Sequence, residues 1–157
     1  MRAVDRRLVA VDTSFVVSLR GGDGKELQAR ARRVLDLHQK DVFCIPAPAL
    51  AECLPGQIPP GLQVLDMNQL AAQIASTFKG AIKNRPPEVS KREISVDLFI
   101  LATAEAHGAS VLYTRDDVFK LLATEHKLKV QVRDLPDREP SQGEIPLGPR
   151  PVRAARK

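Results

Sequence analysis

Cysteine is scarce in this chain of 157 residues, and its two copies, Cys44 and Cys53, make no disulfide framework. Cys44 falls in a predicted strand and Cys53 in a predicted helix, so both read as free, buried thiols. No apolar run approaches the roughly 20 residues that cross a bilayer, which argues against membrane insertion. Residues Met1 to Arg7 place charge on both sides of a very short apolar stretch and lack the apolar core of a secretory signal, so a cytoplasmic protein is expected. No His or Cys residues stand at zinc-binding spacing. No internal repeat is visible, and no long polar stretch divides the chain.

What remains is the composition of one soluble domain, with 43% hydrophobic residues and a mean hydropathy of -0.18. The charge is basic: 24 Lys and Arg against 19 acids give +5. Strand and helix patterns alternate, which predicts a three-layer α/β/α fold with a central, mostly parallel sheet flanked by helices. Strands are expected at Leu8 to Asp12, Val42 to Ile45, Gln63 to Leu65, Ser110 to Thr114 and Leu128 to Val132. Helices are expected from Ser14, placed as a cap, through Leu19, over Lys25 to Gln39, and from Ala49 to Leu54 after Pro46 and Pro48, closed by Pro55-Gly56. Further helices are expected over Met67 to Ile82, from an N-cap at Ser95 to His107, and over Val118 to Ala123. The folded domain is expected over 1–135. Beyond Leu135 hydrophobic periodicity is lost, so 136–157 reads as a flexible, Pro-rich basic tail.

Four carboxylates stand out by position. Asp12 closes the run Leu8-Val9-Ala10-Val11 and Asp116 follows Ser110-Val111-Leu112-Tyr113-Thr114, so both lie just past the carboxyl end of a strand, where open parallel sheets bind ligands. Glu52 and Asp97 sit among apolar residues in helical segments. Asp97 shares a face with Ile100, Leu101 and Ala104, a stripe that should point to the core, where a lone charge is costly. Each acid has an ordinary explanation as a turn former, a surface residue or a complement to a helix dipole. All four at one end of one sheet are harder to explain that way. Gathered acids need cations, and all-oxygen ligands favour the hard ions Mg²⁺ or Mn²⁺. A basic surface around an acidic pocket suits a polyanionic substrate cut at a phosphodiester.

Four segments carry a resemblance: Val9-Ala10-Val11-Asp12-Thr13-Ser14, Ala49 to Leu54, Asp97 to Ala104, and Ala109 to Phe119. In order and spacing the chain resembles a PIN-domain ribonuclease, particularly the stand-alone toxin of VapBC-type toxin-antitoxin pairs. That resemblance covers nearly everything from Leu8 to Val132. It implies a metal-dependent endoribonuclease with Asp12, Glu52, Asp97 and Asp116 as its acidic metal site. It also implies Thr114 and Ser14 as hydroxyl partners of the carboxylates, a protein antitoxin that covers the pocket, and a homodimer. The long tail and the pairs Pro59-Pro60 and Pro86-Pro87 depart from the family pattern and bear on partner contacts.

In the expected mechanism Asp12 and Asp97 hold the main ion, Glu52 acts through a ligand water or as a base, and Asp116 completes a second site. Asp117 is an auxiliary candidate. Lys83, Arg85, Lys91 and Arg92 precede Asp97 and are placed to grip the RNA backbone, with Arg115 next. His107 suits a helix C-terminus, His38 closes an amphipathic helix, and His126 lies in a loop; none is given a chemical role. Three other readings stand beside this one: a housekeeping RNA-processing nuclease of the same fold, a non-catalytic RNA- or partner-binding module, and a phosphatase of the haloacid dehalogenase type. The last uses a second Asp two residues after the first, where this chain has Ser14.

Overall fold

The computed structural model describes residues 6–53, 56 and 58–137. Five parallel strands form one sheet in the order β3-β2-β1-β4-β5: β1 (Leu8–Val11), β2 (Val42–Pro46), β3 (Gln63–Leu65), β4 (Val111–Tyr113) and β5 (Gln131–Arg133). Val9, Ala10 and Val11 of the central strand are fully buried. Such unbroken apolar stretches are what a sheet covered on both faces requires. The neighbours of β1 are set by the pairs Val9↔Phe43 and Val11↔Tyr113.

Among the described residues seven helices complete the three layers: α1 (Thr13–Leu19), α2 (Lys25–Leu37), α3 (Ala47–Glu52), α4 (Gln69–Thr77), α5 (Lys79–Lys83), α6 (Lys91–Ala106) and α7 (Asp117–Glu125). Helices α1 and α2 pack on each other, while α6 packs against α3, α4, α5 and α7. Buried Phe15, Phe78, Phe119, Leu98, Ile100 and Leu101 fill the layers between helix and sheet. Leu135 is buried beyond β5, and the Arg30 guanidinium on α2 donates to the carbonyls of Leu135 and Pro136. No described helix is long and apolar enough to cross a membrane.

Several boundaries differ from the sequence expectation, each for a local reason. Asp12, not Ser14, caps α1, because its carboxylate is the acceptor that reaches the Phe15 amide. The expected helix over Met67 to Ile82 starts later, with Asn68 as cap, and breaks at Phe78 into α4 and α5. Helix α3 begins at Ala47 and ends at Glu52, so Cys53 is its half-buried C-cap; Leu54 and Pro55 lie outside the described residues. Helix α2 ends at Leu37, short of Gln39. Helix α7 extends from Asp117 to Glu125, and β5 begins only at Gln131.

The largest correction concerns α6. It begins at Lys91, capped by Ser90 in a reciprocal box with Glu93: the Glu93 amide donates to Ser90 Oγ at 3.1 Å, and the Ser90 amide donates to Glu93 Oε2 at 2.8 Å. Ser95, the expected cap, is inside the helix, its hydroxyl donating to the Lys91 carbonyl at 2.6 Å. Gly108, at φ +70°, takes the left-handed conformation beyond the helix end that glycine adopts at least cost.

Candidate active site

All five strands are parallel, so their carboxyl ends share one edge, and Asp12 and Thr114 follow neighbouring strands there. Asp12 is 5% exposed. Its Oδ1 accepts from Ser14 Oγ at 2.6 Å and from the Phe15 amide at 3.0 Å, and its Oδ2 accepts from Thr114 Oγ1 at 2.5 Å. Burial raises the Asp12 pKa despite these hydrogen bonds, and the Asp116 charge adds to the rise. Both hydroxyls are themselves held. Thr114 Oγ1 accepts the Asp116 amide at 3.1 Å, and Ser14 Oγ accepts the Arg115 amide at 3.1 Å. Ser14 and Thr114, singled out from sequence, both donate to this carboxylate.

Asp97 stands well inside α6. The later start expected for this helix would have put it in the first turn, where an acid complements the helix dipole. With Lys91 as the first residue that explanation lapses, because the dipole effect fades within a turn. Ile94, Leu98, Ile100, Leu101 and Ala104 around it are buried. Its half-buried carboxylate accepts no hydrogen bond and joins no ion pair among the described residues. Burial first, then the charges of Asp116, Glu52, Asp12 and Glu93, push its pKa up to about 7. The four predicted acids are thus near enough to feel one another's charge.

Glu52 and Asp116 are exposed and line, with Asp97, a cavity of about 790 Å³ between α5, α6 and α7. Each has one oxygen engaged. Glu52 Oε2 accepts from Thr13 Oγ1 at 2.8 Å, and Asp116 Oδ1 caps α7 by accepting the Val118 amide at 2.9 Å. Thr13 was not singled out from sequence, although it sits between Asp12 and Ser14. Its hydroxyl also reaches the Ala49 carbonyl at 3.2 Å, tying α1 to α3. No group of three or more His, Cys, Asp or Glu among the described residues stands close enough together to hold a metal ion as placed. The donor chemistry nevertheless fits a hard divalent cation: the oxygens are anionic, mutually repelling, and unpaired with any basic side chain of the described residues.

The remaining predicted residues separate. Asp117 opens α7 on the exposed side and does not line the cavity. Arg85 does line it, whereas Lys83, Lys91, Arg92 and Arg115 do not. Arg115 is paired with Asp23 at 2.6 Å. His126 lies outside the helix as expected, in the turn where it is the C-cap of α7, and it forms a wall of the cavity. His38 bridges Asp41 at 2.8 Å and the Tyr113 hydroxyl at 3.0 Å, and His107 Nε2 meets the Asp66 carbonyl at 2.8 Å, so both are structural.

Among curated protein sequences none matches the chain. Solved structures share its fold. VapBC2 from Rickettsia felis, bound to a DNA fragment from its promoter, superposes with a TM-score of 0.60 at 14% identity, over 82% of this chain and 99% of that one. FitAcB from Neisseria gonorrhoeae gives 0.56 at 21% identity, covering 79% and 95%. DNA-bound VapBC from Salmonella typhimurium gives 0.56 at 16%, covering 83% and 99%. A PIN domain model matches residues 9–125, from β1 to the end of α7 and through all four acids. With most of its length so matched, the chain belongs to the PIN domain family.

Proposed function

We propose that this chain is an endoribonuclease that hydrolyses RNA phosphodiester bonds with the aid of Mg²⁺ or Mn²⁺, and that it is the toxin of a toxin-antitoxin pair. The observation that carries the nuclease reading is Asp97. A carboxylate on the core-facing stripe of the longest described helix, pushed up to about 7 by burial and four neighbouring acids, is costly to the fold and suited to binding a cation. The toxin reading rests on the family and on the VapBC and FitAcB structures that share the fold.

Asp12, Asp97, Glu52 and Asp116 would hold the ion or ions. A divalent cation bound there supplies a nucleophile at neutral pH and neutralises charge building on the phosphoryl oxygens. The chain itself supplies orientation. Thr114, Ser14 and the Phe15 amide lock the Asp12 carboxylate from three directions, and Thr13 holds one oxygen of Glu52. Glu52 Oε1, with no hydrogen bond among the described residues, would accept a proton from the attacking water. Arg85 offers positive charge in the same cavity. The catalytic unit is proposed to span 1–135, with 136–157 as an appended basic tail, in a cytoplasmic homodimer inhibited by an antitoxin.

RNA cleavage by purified protein in Mn²⁺, abolished by a chelator, tests the reading. Asp12→Asn and Asp97→Asn should remove cleavage while leaving a folded protein. Equal cleavage by wild type and both variants would exclude this site. Expression should arrest growth, and co-expression of a small DNA-binding protein from the adjoining reading frame should relieve it.

A further inference from the structure

The cavity does not stop at the carboxylates. It continues along the turn from α5 into α6 and along α7, past Asn84, Arg85, Val118 and Leu121 to His126. Bond hydrolysis at the acids uses none of this surface except the charge of Arg85. Two of its side chains are held in place. Arg85 donates from Nε to the Val89 carbonyl at 3.1 Å and from Nη1 to the Ile82 carbonyl at 2.9 Å. Those bonds fix the guanidinium but leave its charge unpaired among the described residues. A positioned guanidinium with donors to spare is a phosphate ligand whose ordering cost is already met.

His126 is held in another way. Its ring packs in a T-shaped pair with buried Phe78, with centroids 4.5 Å apart and planes at 67°. Leu121, 66% exposed, and half-buried Val118 flank the same wall. A fixed flat ring beside exposed aliphatic surface offers a nucleobase a stacking partner, and the Asn84 amide in the same cavity can donate to and accept from a base edge. An acidic centre, a pinned guanidinium and an aromatic ring share one cavity, whose wall also carries Glu88, Glu93 and Glu125, and the guanidinium and ring answer to the phosphate and base of a single-stranded polynucleotide.

We propose that this arm of the cavity binds the nucleotide adjoining the scissile phosphodiester, its base on His126 and Asn84 and its phosphate on Arg85, giving cleavage a base preference at that position. The inference rests on the nuclease reading above.

The full-length chain is tested in Mn²⁺ on a randomised RNA library and on defined oligonucleotides carrying an abasic ribose on either side of the cut. Wild type should prefer particular bases at one neighbouring position and lose about tenfold in kcat/KM when that base is removed. His126→Ala should abolish both the preference and the abasic penalty, while His126→Phe, which keeps the packing on Phe78, should retain the penalty. Asn84 is exposed, so Asn84→Ala leaves the fold intact and should change which base is preferred. Arg85→Gln should raise KM about tenfold with little change in kcat, and Arg85→Lys should restore part of the loss. Cleavage without neighbour preference, or unchanged preference in His126→Ala and Asn84→Ala, overturns the subsite whatever the variants do to binding of a protein partner. Absence of any wild-type cleavage in Mn²⁺ is a separate result, and it removes the nuclease reading together with this one.

Discussion

Replacing Asp97 by Asn should stabilise the cation-free protein at alkaline pH while destroying its activity. Burial and the neighbouring acids raise the Asp97 pKa from an ordinary 3.8 to about 7. Between those values the folded chain holds a proton that the unfolded chain has released, so stability is full below about pH 4 and is lost as the pH rises through 7. At roughly 1.4 kcal/mol per pH unit the loss has a ceiling of about 4 kcal/mol. The carboxylate is only half-buried, and solvent screening brings the figure to roughly 1 to 2 kcal/mol. Asparagine keeps the shape and removes the charge. For a domain of this size the gain corresponds to about 3 to 8 °C in melting temperature at pH 8.5 in a chelator, shrinking towards zero near pH 4. Saturating Mg²⁺ should raise the wild-type melting temperature, because a ligand of the native state stabilises it, and should raise that of the variant far less. Differential scanning calorimetry over pH, with and without Mg²⁺, measures all of this. A variant that melts at or below wild type at pH 8.5 would refute the claim that Asp97 is held ionised against its surroundings.

Thr114→Val removes the donor to Asp12 Oδ2 and the acceptor of the Asp116 amide together, which should cost about 1 to 3 kcal/mol by thermal unfolding. The lost hydrogen bond favoured the charged form of Asp12, so the pH at which cleavage sets in should also move upward in a pH-rate profile. Ser90→Ala breaks the capping box of α6 and should lower stability by about 1 kcal/mol, with hydrogen exchange accelerated at its first turn and not at Leu101. Arg115→Ala cuts an exposed pair with Asp23 and should cost under about 1 kcal/mol, with a smaller loss of RNA affinity in filter binding than Arg85→Gln. The reverse order would mean that Arg115 leaves Asp23 for the substrate.

The parallel sheet and the four acids were legible because each leaves a local mark: apolar runs that end at an acid, and a charge on an apolar stripe. Asp12 and Asp116 each follow a strand and open a helix. Each caps a helix, and each stands at the edge where the acids meet. The start of α6 was misread because its first turn, Lys91-Arg92-Glu93, is polar and shows no period, although the Ser90 and Glu93 spacing of a capping box was present. Helix α4 was run too far because Phe78 continues the apolar face through the break. His126 could not be placed from its neighbours in sequence, since its position depends on α7 meeting Phe78 from another element. The same holds for Arg85. The four basic residues ahead of Asp97 are equivalent in sequence, and only the carbonyls of Ile82 and Val89 single out Arg85.

Why the acids converge follows from strand direction and register. Val11 pairs with Tyr113, so the residues that follow, Asp12 and Thr114, leave the sheet side by side and can share a hydrogen bond. In an antiparallel pair the carboxyl ends of β1 and β4 would lie at opposite edges, and Asp12 and Asp116 would be separated by the length of a strand. A slip of one residue would turn Thr114 to the other face and take the hydroxyl from Asp12. Asp97 reaches the same edge by another route, through a helix of 16 residues in which Ile94, Leu98 and Ile100 to Ala104 are buried. The stability surrendered at Asp97 is therefore offset by the burial of Ile94, Leu98 and Leu101 on either side of it, which anchors a carboxylate that its acidic neighbours repel.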